Sequence, residues 1–345
     1  MNKYFLDRAF LPQNSLGRKD QEEMFVITKL DPYLWDLFKI LNSVAFRRLR
    51  NKTQVIFPAG DCYQTRMSHS QEAAINAAFV ADQLGLNKML AYTIMMVHDI
   101  GHMPFGHFGE KFLTRKLEQA FRHENFGSFL VQEIEPLNLL YEILDFIQYH
   151  SRGARELTTH NNVPLCYNVG MYVDKLSYTI SDSFDVFSSV ILQVSPPNSY
   201  YKLGINKNER MLKCLTALCK ESVGQNQISF EKSDVAKNFL DLREFMYQKV
   251  YYKLDEIREE TQGEPLEKMY NFLLNLDFPK RKAVLTIALM TENEIFSVLR
   301  NNQLDEASTV SRFLSGAYPV SKLLPVIEEK YSMDFLIPDL SWAKK

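Results

Sequence analysis

The chain has 345 residues, 46% of them apolar and 24% charged, enough for a full hydrophobic core and the balance of an ordinary soluble globular protein. A net charge of −2 excludes a general electrostatic pull on nucleic acid or anionic lipid, so a polyanion needs a local cluster of cations, and a small phosphorylated ligand suits such a cluster better than a duplex. Cys62, Cys166, Cys214 and Cys219 have no metal-ligand spacing, the N-terminus has no apolar leader, and no apolar run is long enough to span a bilayer; the expectation is a cytoplasmic protein without disulfides, with Cys214 and Cys219 as buried thiols.

In chain order, EMFVITKL (23–30) is the first strand candidate, and Arg47, Arg48, Arg50 and Lys52 follow as a run of cations. That run could form a basic patch for single-stranded nucleic acid, but no nucleic-acid motif surrounds it, so phosphate positioning or a subunit contact is the preferred reading. SHSQEAAINAAFVADQLG (68–85) puts Ala73, Ala77, Val80, Ala81 and Leu84 on one helical stripe, with Ser68 and Gln71 spaced as a capping box and Gly85 as the stop. A second helix starts at Asn87 and runs through KMLAYTIMMVHD, apolar enough to be buried all round. Further helices are expected over 108–120, 124–135, 138–149, 170–187, 206–222, 232–260, 265–275, 281–299 and 318–331, with NQISFEK (226–232) as the other strand candidate. Pro196 and Pro197 make the stretch around 194–208 a loop or lobe boundary. The expectation is an all-α fold: an N-terminal segment over 1–44, a helical core over 45–195, and a C-terminal helical region over 196–345 that completes a pocket.

All seven histidines lie between residues 69 and 160. Three of them, with an aspartate, fall inside HDIGHMPFGH (98–107), interrupted by glycine and proline. Imidazole is the commonest protein metal ligand, and an adjacent carboxylate adds the negative charge that a hard or borderline divalent ion needs. His98 and Asp99, at the end of a buried helix, can therefore offer two ligands from one rigid place. His69, at the start of the preceding helix, and Asp174, on a later one, are the natural complements if the first two helices run antiparallel. His150 and His160 taken singly are better explained as hydrogen-bonded core residues. Asp174, Tyr178 and Asp182 recur every four residues and so share one helix face.

Six stretches in order, AFRRLRNKTQV (45–55), TRMSHSQEAA (65–74), HDIGHMPFGHFGE (98–110), RHENFGS (122–128), YVDKLSYTISD (172–182) and LREFMYQKVYYK (242–253), resemble the HD-domain phosphohydrolase superfamily, and within it the deoxynucleoside triphosphate triphosphohydrolases that include bacterial dGTPases. The resemblance implies an HD-type helical core and a divalent metal, Mn²⁺, Mg²⁺, Fe²⁺ or Co²⁺, on His69, His98, Asp99 and Asp174. It implies His102 at the α-phosphate, His107 with Glu110 as a catalytic pair, and His123 with Glu124 as a second pair near the leaving oxygen. Arg66, Lys175, Tyr178 and Arg243 would hold the triphosphate, and Gln54 and Asp182 the sugar 3′-hydroxyl. Lys253 stands where family members often carry histidine, and nothing beyond about residue 260 matches.

What the resemblance implies as activity is hydrolysis of a dNTP to deoxynucleoside and inorganic triphosphate, with a metal-activated water as nucleophile and His107 as general acid. The family also implies a homo-oligomer and leaves a nucleotide effector as an open partner, although no residue set for a separate regulatory site stands out. Two rivals differ in products: an HD-type nucleotidase or phosphodiesterase acting on a nucleoside monophosphate or cyclic nucleotide, and a nucleotide-sensing scaffold without catalysis.

Overall fold

The computed structural model describes residues 2–22, 30–55, 63–151, 157, 159, 162–189 and 192–344. Among these the chain is helical, and its only β pairing is an isolated antiparallel bridge between Thr53 and Thr65.

Three helices carry the centre. Arg66–Leu84 ends at Gly85, whose φ of 73° is the left-handed stop that glycine adopts at no steric cost. Asn87 then caps Lys88–Val97 by accepting the Leu90 N–H, so the two helices form a hairpin with a three-residue connection. Leu165–Ser188 packs against both. Ala73, Ala74, Ala77 and Ala81 are fully buried on the first helix; such small side chains let backbones approach closely, which brings Asn76 to donate to Ser177 across the gap at 3.1 Å. Ile94, Met95, Val97 and Ile180 fill the rest of this seam with no exposure. Each such side chain contributes about 1.5–3 kcal/mol on burial, so the helix ends that bear the histidines are held by packing on all sides.

The first helix begins earlier than its sequence suggests. Thr65, not Ser68, is the cap: its hydroxyl accepts the Ser68 N–H and the Ser68 hydroxyl answers to the Thr65 N–H. A cap needs extended backbone, and Thr65 has it because it pairs with Thr53. Arg66 and His69 consequently sit inside the first turn, aimed by the helix.

The C-terminal part wraps this centre. Asp234–Phe245, Tyr252–Arg258 and Glu264–Asn275 follow one another with wider π turns at Met246–Tyr251 and Glu259–Gly263 between them. The segment read as one helix over 281–299 is two, Lys280–Leu289 and Glu292–Leu304, broken at Met290 and Thr291 because Thr291 and Glu294 form a capping box. NQISFEK is not a strand: its main chain bonds to side chains instead, Ser229 N–H to Ser222 and the Glu231, Lys232 and Ser233 N–H groups to the Glu221 carboxylate. EMFVITKL lies outside the described residues except for Leu30. Pro32–Asn42, capped by Asp31 with Pro32 at its first position, and Glu306–Leu314 are helices that periodicity alone missed. Pro196 and Pro197 do lie outside helix, but Asn198–Leu203 begins directly after them. Cys214 is buried as expected and Cys219 only partly so.

The cation run does not form a patch. Arg48 and Lys52 are buried, Arg47 and Arg50 exposed. Arg48 lies 3.9 Å from Glu294, and Lys52 donates to the carbonyls of His102 and Ala288. Buried apolar residues from every part of the described chain belong to a single cluster.

Candidate metal centre and active site

His98 follows the last residue of Lys88–Val97, and its Nδ1–H donates to the Met95 carbonyl at 2.6 Å. That bond fixes the ring and leaves Nε2 buried, with no hydrogen-bond partner among the described residues. Nε2 stands 3.4 Å from an Asp99 oxygen and 3.4 Å from an Asp174 oxygen, and the same Asp174 oxygen is 3.0 Å from His69 Nε2. Ligands at right angles on an ion at about 2.1 Å stand about 3.0 Å apart, so these separations are those of groups gathered round one cation. Burial raises a carboxyl's pKa, yet the imidazoles beside Asp99 and Asp174, and Arg66 at 2.9 Å from Asp99, hold both well below the usual carboxylate range. Two imidazole nitrogens and two anionic carboxylates gathered in a buried site fit a divalent ion; a set of nitrogen and oxygen donors without a thiolate suits Mn²⁺, Mg²⁺, Fe²⁺ or Co²⁺ alike.

After Asp99 the chain turns through Gly101 to His102, whose Nε2 lies 3.3 Å from Asp99. Gly101 is there for closeness: a Cβ on it would meet the His123 carbonyl oxygen at 2.1 Å and the Gly127 nitrogen at 2.3 Å. The helix His123–Phe129 can therefore lie directly on this turn, and the His102 and His123 rings stack at 3.9 Å. Two consecutive left-handed residues, Phe105 (φ 63°) and Gly106 (φ 55°), then send the chain into Gly106–Leu117. Phe105 is not glycine, and this conformation costs it about 1 kcal/mol or more.

In the second group both expected pairs are in contact, and a third, Glu110 with His123, is closer than either. Glu110 sits 2.7 Å from His123 Nδ1 and 3.7 Å from His107 Nδ1, so its tighter partner is His123; Glu124 is 3.3 Å from the same nitrogen. Burial disfavours charge on His123, but the Glu124 and Glu110 carboxylates outweigh it and raise its pKa to about 9. His107 is different: 60% of its side chain is exposed, at the mouth of an otherwise buried cluster.

On Leu165–Ser188, the face carrying Asp174 continues to Tyr178 and Asp182. Tyr178 meets the Tyr247 hydroxyl at 3.0 Å and accepts from Arg243 at 3.4 Å; Asp182 accepts from Tyr251 at 2.8 Å, and among the described residues its other oxygen has no partner. Burial pushes the Asp182 carboxyl up to about 7. Gln54 also leaves its side-chain oxygen unsatisfied, and the preceding Thr53 carbonyl accepts from Arg66. Lys175 is buried on the same helix as Asp174.

Two kinds of residue escaped the sequence. His150 is a hydrogen-bonded buried residue as expected, but it is also part of the cluster, with Nε2 3.3 Å from His123 Nε2 and 3.8 Å from Asp99. Its local signal was the one His98 shows: a histidine directly after a helix, donating through Nδ1 to the carbonyl three residues back. Tyr247 and Tyr251 are brought in by the π turn at Met246–Tyr251, which no periodicity announces. His160 lies outside the described residues.

The HD domain family model matches residues 66–177, the span that carries the four gathered side chains His69, His98, Asp99 and Asp174. A deoxyguanosinetriphosphate triphosphohydrolase-like protein of Caldanaerobacter subterraneus subsp. tengcongensis is 32% identical over 274 residues, covering 77% of this chain and 78% of that one. The chain belongs to the deoxyguanosinetriphosphate triphosphohydrolase-like family of HD-domain proteins. Other members include one from Clostridium tetani, 32% identical over 70% of this chain and 73% of its own length, and one from Cereibacter sphaeroides, 41% identical over 41% of this chain and 40% of its own. Membership in this phosphohydrolase family makes the chain a hydrolase with a divalent-metal type of site, on the fold that the helical architecture already displays. No described helix of this family member is long and apolar enough to cross a membrane.

Proposed function

We propose that the chain hydrolyses deoxynucleoside triphosphates to deoxynucleoside and inorganic triphosphate. The observation that supports this best is the adjacency of two clusters: His69, His98, Asp99 and Asp174 within ligand distance of one another, and the His102, His123, Glu110 group against them with exposed His107 at its rim.

His69, His98, Asp99 and Asp174 would hold a divalent ion, which would supply Lewis acidity toward the phosphate and lower the pKa of the attacking water. His102 faces the α-phosphate oxygens. His107, at the rim, gives the proton that the departing sugar 5′-oxygen needs, because an alkoxide leaves poorly; Glu110, anchored by charged His123, orients it. Arg66, Lys175 and Arg243 with Tyr178 hold the phosphate chain through charge-assisted bonds. The unsatisfied oxygens of Asp182 and Gln54 take the 3′-hydroxyl, with Tyr251 fixing Asp182. The homo-oligomer implied by the resemblance belongs to the same proposal.

The test is to incubate the protein and its Asp99→Ala variant with each dNTP and rNTP plus Mn²⁺ and to resolve triphosphate from orthophosphate. Intact triphosphate from dNTPs, lost in the variant, is the expected result. Orthophosphate or ring-opened products from monophosphates or cyclic nucleotides would replace the proposal with the nucleotidase or phosphodiesterase reading, and no product from any nucleotide would leave the scaffold reading.

A further inference from the structure

Glu292, the first residue of Glu292–Leu304, lies far outside the stretches that resemble the family and is 4% exposed. Its carboxylate is engaged by three donors from two distant parts of the chain. Oε1 accepts the Thr53 N–H and the Phe105 N–H, each at 2.8 Å, and Oε2 accepts the Thr53 hydroxyl. One turn further along the same helix, Phe296 meets the Phe105 ring edge-on at 6.1 Å.

Both ends of this bridge lead into the active site. Phe105 is the non-glycine residue held at positive φ, and the turn it makes with Gly106 decides where His102 and His107 stand on either side of it. An uncommon backbone conformation persists only where its surroundings over-determine it; here the support is a hydrogen bond that the Phe105 N–H donates to Glu292 and a ring contact from Phe296, both outside the matched HD span. Thr53 precedes Gln54, and its carbonyl accepts from Arg66, which in turn pairs with Asp99. A mere filler at this place could be apolar. A carboxylate taken out of water is instead kept only because its lone pairs are answered.

We propose that Glu292 is a positioning residue for the reaction: its carboxylate ties the strained Phe105 turn to Thr53 and so sets, from the C-terminal helices, the relative placement of His102 and His107 on one side and Gln54 and Arg66 on the other. The inference rests on the triphosphohydrolase reading for its catalytic consequence but not for the clamp itself.

Glu292→Gln keeps the size and one acceptor oxygen, Glu292→Asp is one methylene too short to span both partners, and Glu292→Ala removes the bridge. A misplacement on the scale of 1 Å costs roughly 100-fold in rate, so the full-length Asp and Ala variants should lose about that in kcat/KM, divided between kcat through the histidines and KM through Gln54 and Arg66. The Gln variant should recover most of it. Assays are run well below each variant's Tm, so that a purely structural role would leave kcat and KM of the folded protein unchanged. Hydrogen-exchange mass spectrometry on the same proteins, without substrate, should show faster exchange at 52–54 and 102–108 in Asp and Ala, with the Arg66–Leu84 and Lys88–Val97 helices as in the parent. Unchanged exchange in those segments would overturn the clamp. Faster exchange with unaltered kcat and KM would overturn the positioning role while the triphosphohydrolase reading stands, and a parent protein that releases no triphosphate would defeat that reading with the exchange result still deciding the clamp.

Discussion

Gly101→Ala tests a close approach of two backbone segments at the molecule's centre. The added methyl group would stand 2.1 Å from the His123 carbonyl oxygen, 2.3 Å from the Gly127 nitrogen and 2.5 Å from its Cα, where ordinary contact starts at 3.4 Å. All three atoms are backbone, so no side chain can swing aside, and the His98–His102 turn must separate from His123–Phe129 by about 1.3 Å. Overpacking of a close-packed core costs about 1–3 kcal/mol, and the absence of any flexible neighbour puts this case at the top of that range or above. The same displacement parts His123 from His102 and Asp99, and a shift of about 1 Å in a reacting constellation costs roughly 100-fold. Thermal unfolding and triphosphate release of the purified variant measure the two effects. Gly224→Ala is the control: within the Lys207–Gln225 helix, with nothing within 4 Å of the new methyl group, it should gain about 0.5–1 kcal/mol and leave activity alone. A Gly101→Ala protein with parental Tm and full activity would refute the close approach and with it the argument that this glycine exists to let the two segments touch.

Other outcomes follow from the same geometry. Asp99→Asn removes one of the two anionic ligands while Arg66 stays beside it, so metal retained after gel filtration should fall at least tenfold, read by elemental analysis; parental metal content would exclude Asp99 as a ligand. Asp182 titrates near 7 in the folded chain and an unfolded aspartate near 4. The native state therefore holds the extra proton between those values, and this residue's contribution to stability, present below about pH 4, is lost as pH rises through 7. Asp182→Asn should flatten that part of the stability profile of metal-free protein in denaturant titrations at pH 5 and 7.5, and an unchanged slope would count against the burial argument. Glu110→Gln withdraws an anion from His123, so the imidazole pKa, followed by NMR, should drop from about 9, and kcat should fall about 100-fold if Glu110 supports the proton donor; a fall in kcat no larger than twofold would remove it from the mechanism.

Much of the centre was legible because it depends on short-range rules. The stripe of Ala73, Ala77, Val80, Ala81 and Leu84, the Gly85 stop and the apolar helix ending at His98 follow from helical period and from the backbone that glycine permits, and His98 with Asp99 stood out because few packing needs put those two residues together at a helix end. The residues matched to the family did come together at Asp99, Asp174 and His69. What the local pattern could not settle was partner choice. Glu110 had two histidines within reach and only the packing of His123–Phe129 on Gly101 decides that His123 is the nearer. Thr65 displaced Ser68 as helix cap through a bridge to Thr53, 12 positions earlier, and NQISFEK met its hydrogen bonds through Glu221 and Ser222 rather than through a sheet.

Glu292 marks the limit most clearly. In the sequence it is one acid among several at the start of an ordinary capped helix, 187 positions from Phe105 and 239 from Thr53. The chain's own order of residues determined the central helix hairpin, the adjacency of His98 and Asp99 and the sharp turn after them, since each arises from neighbours a few positions apart. Only the tertiary structure decided which carboxylate serves which imidazole, that His150 joins the cluster, and that a C-terminal glutamate reaches back to hold the turn, because burial and distance between remote segments exist only once the helices have packed.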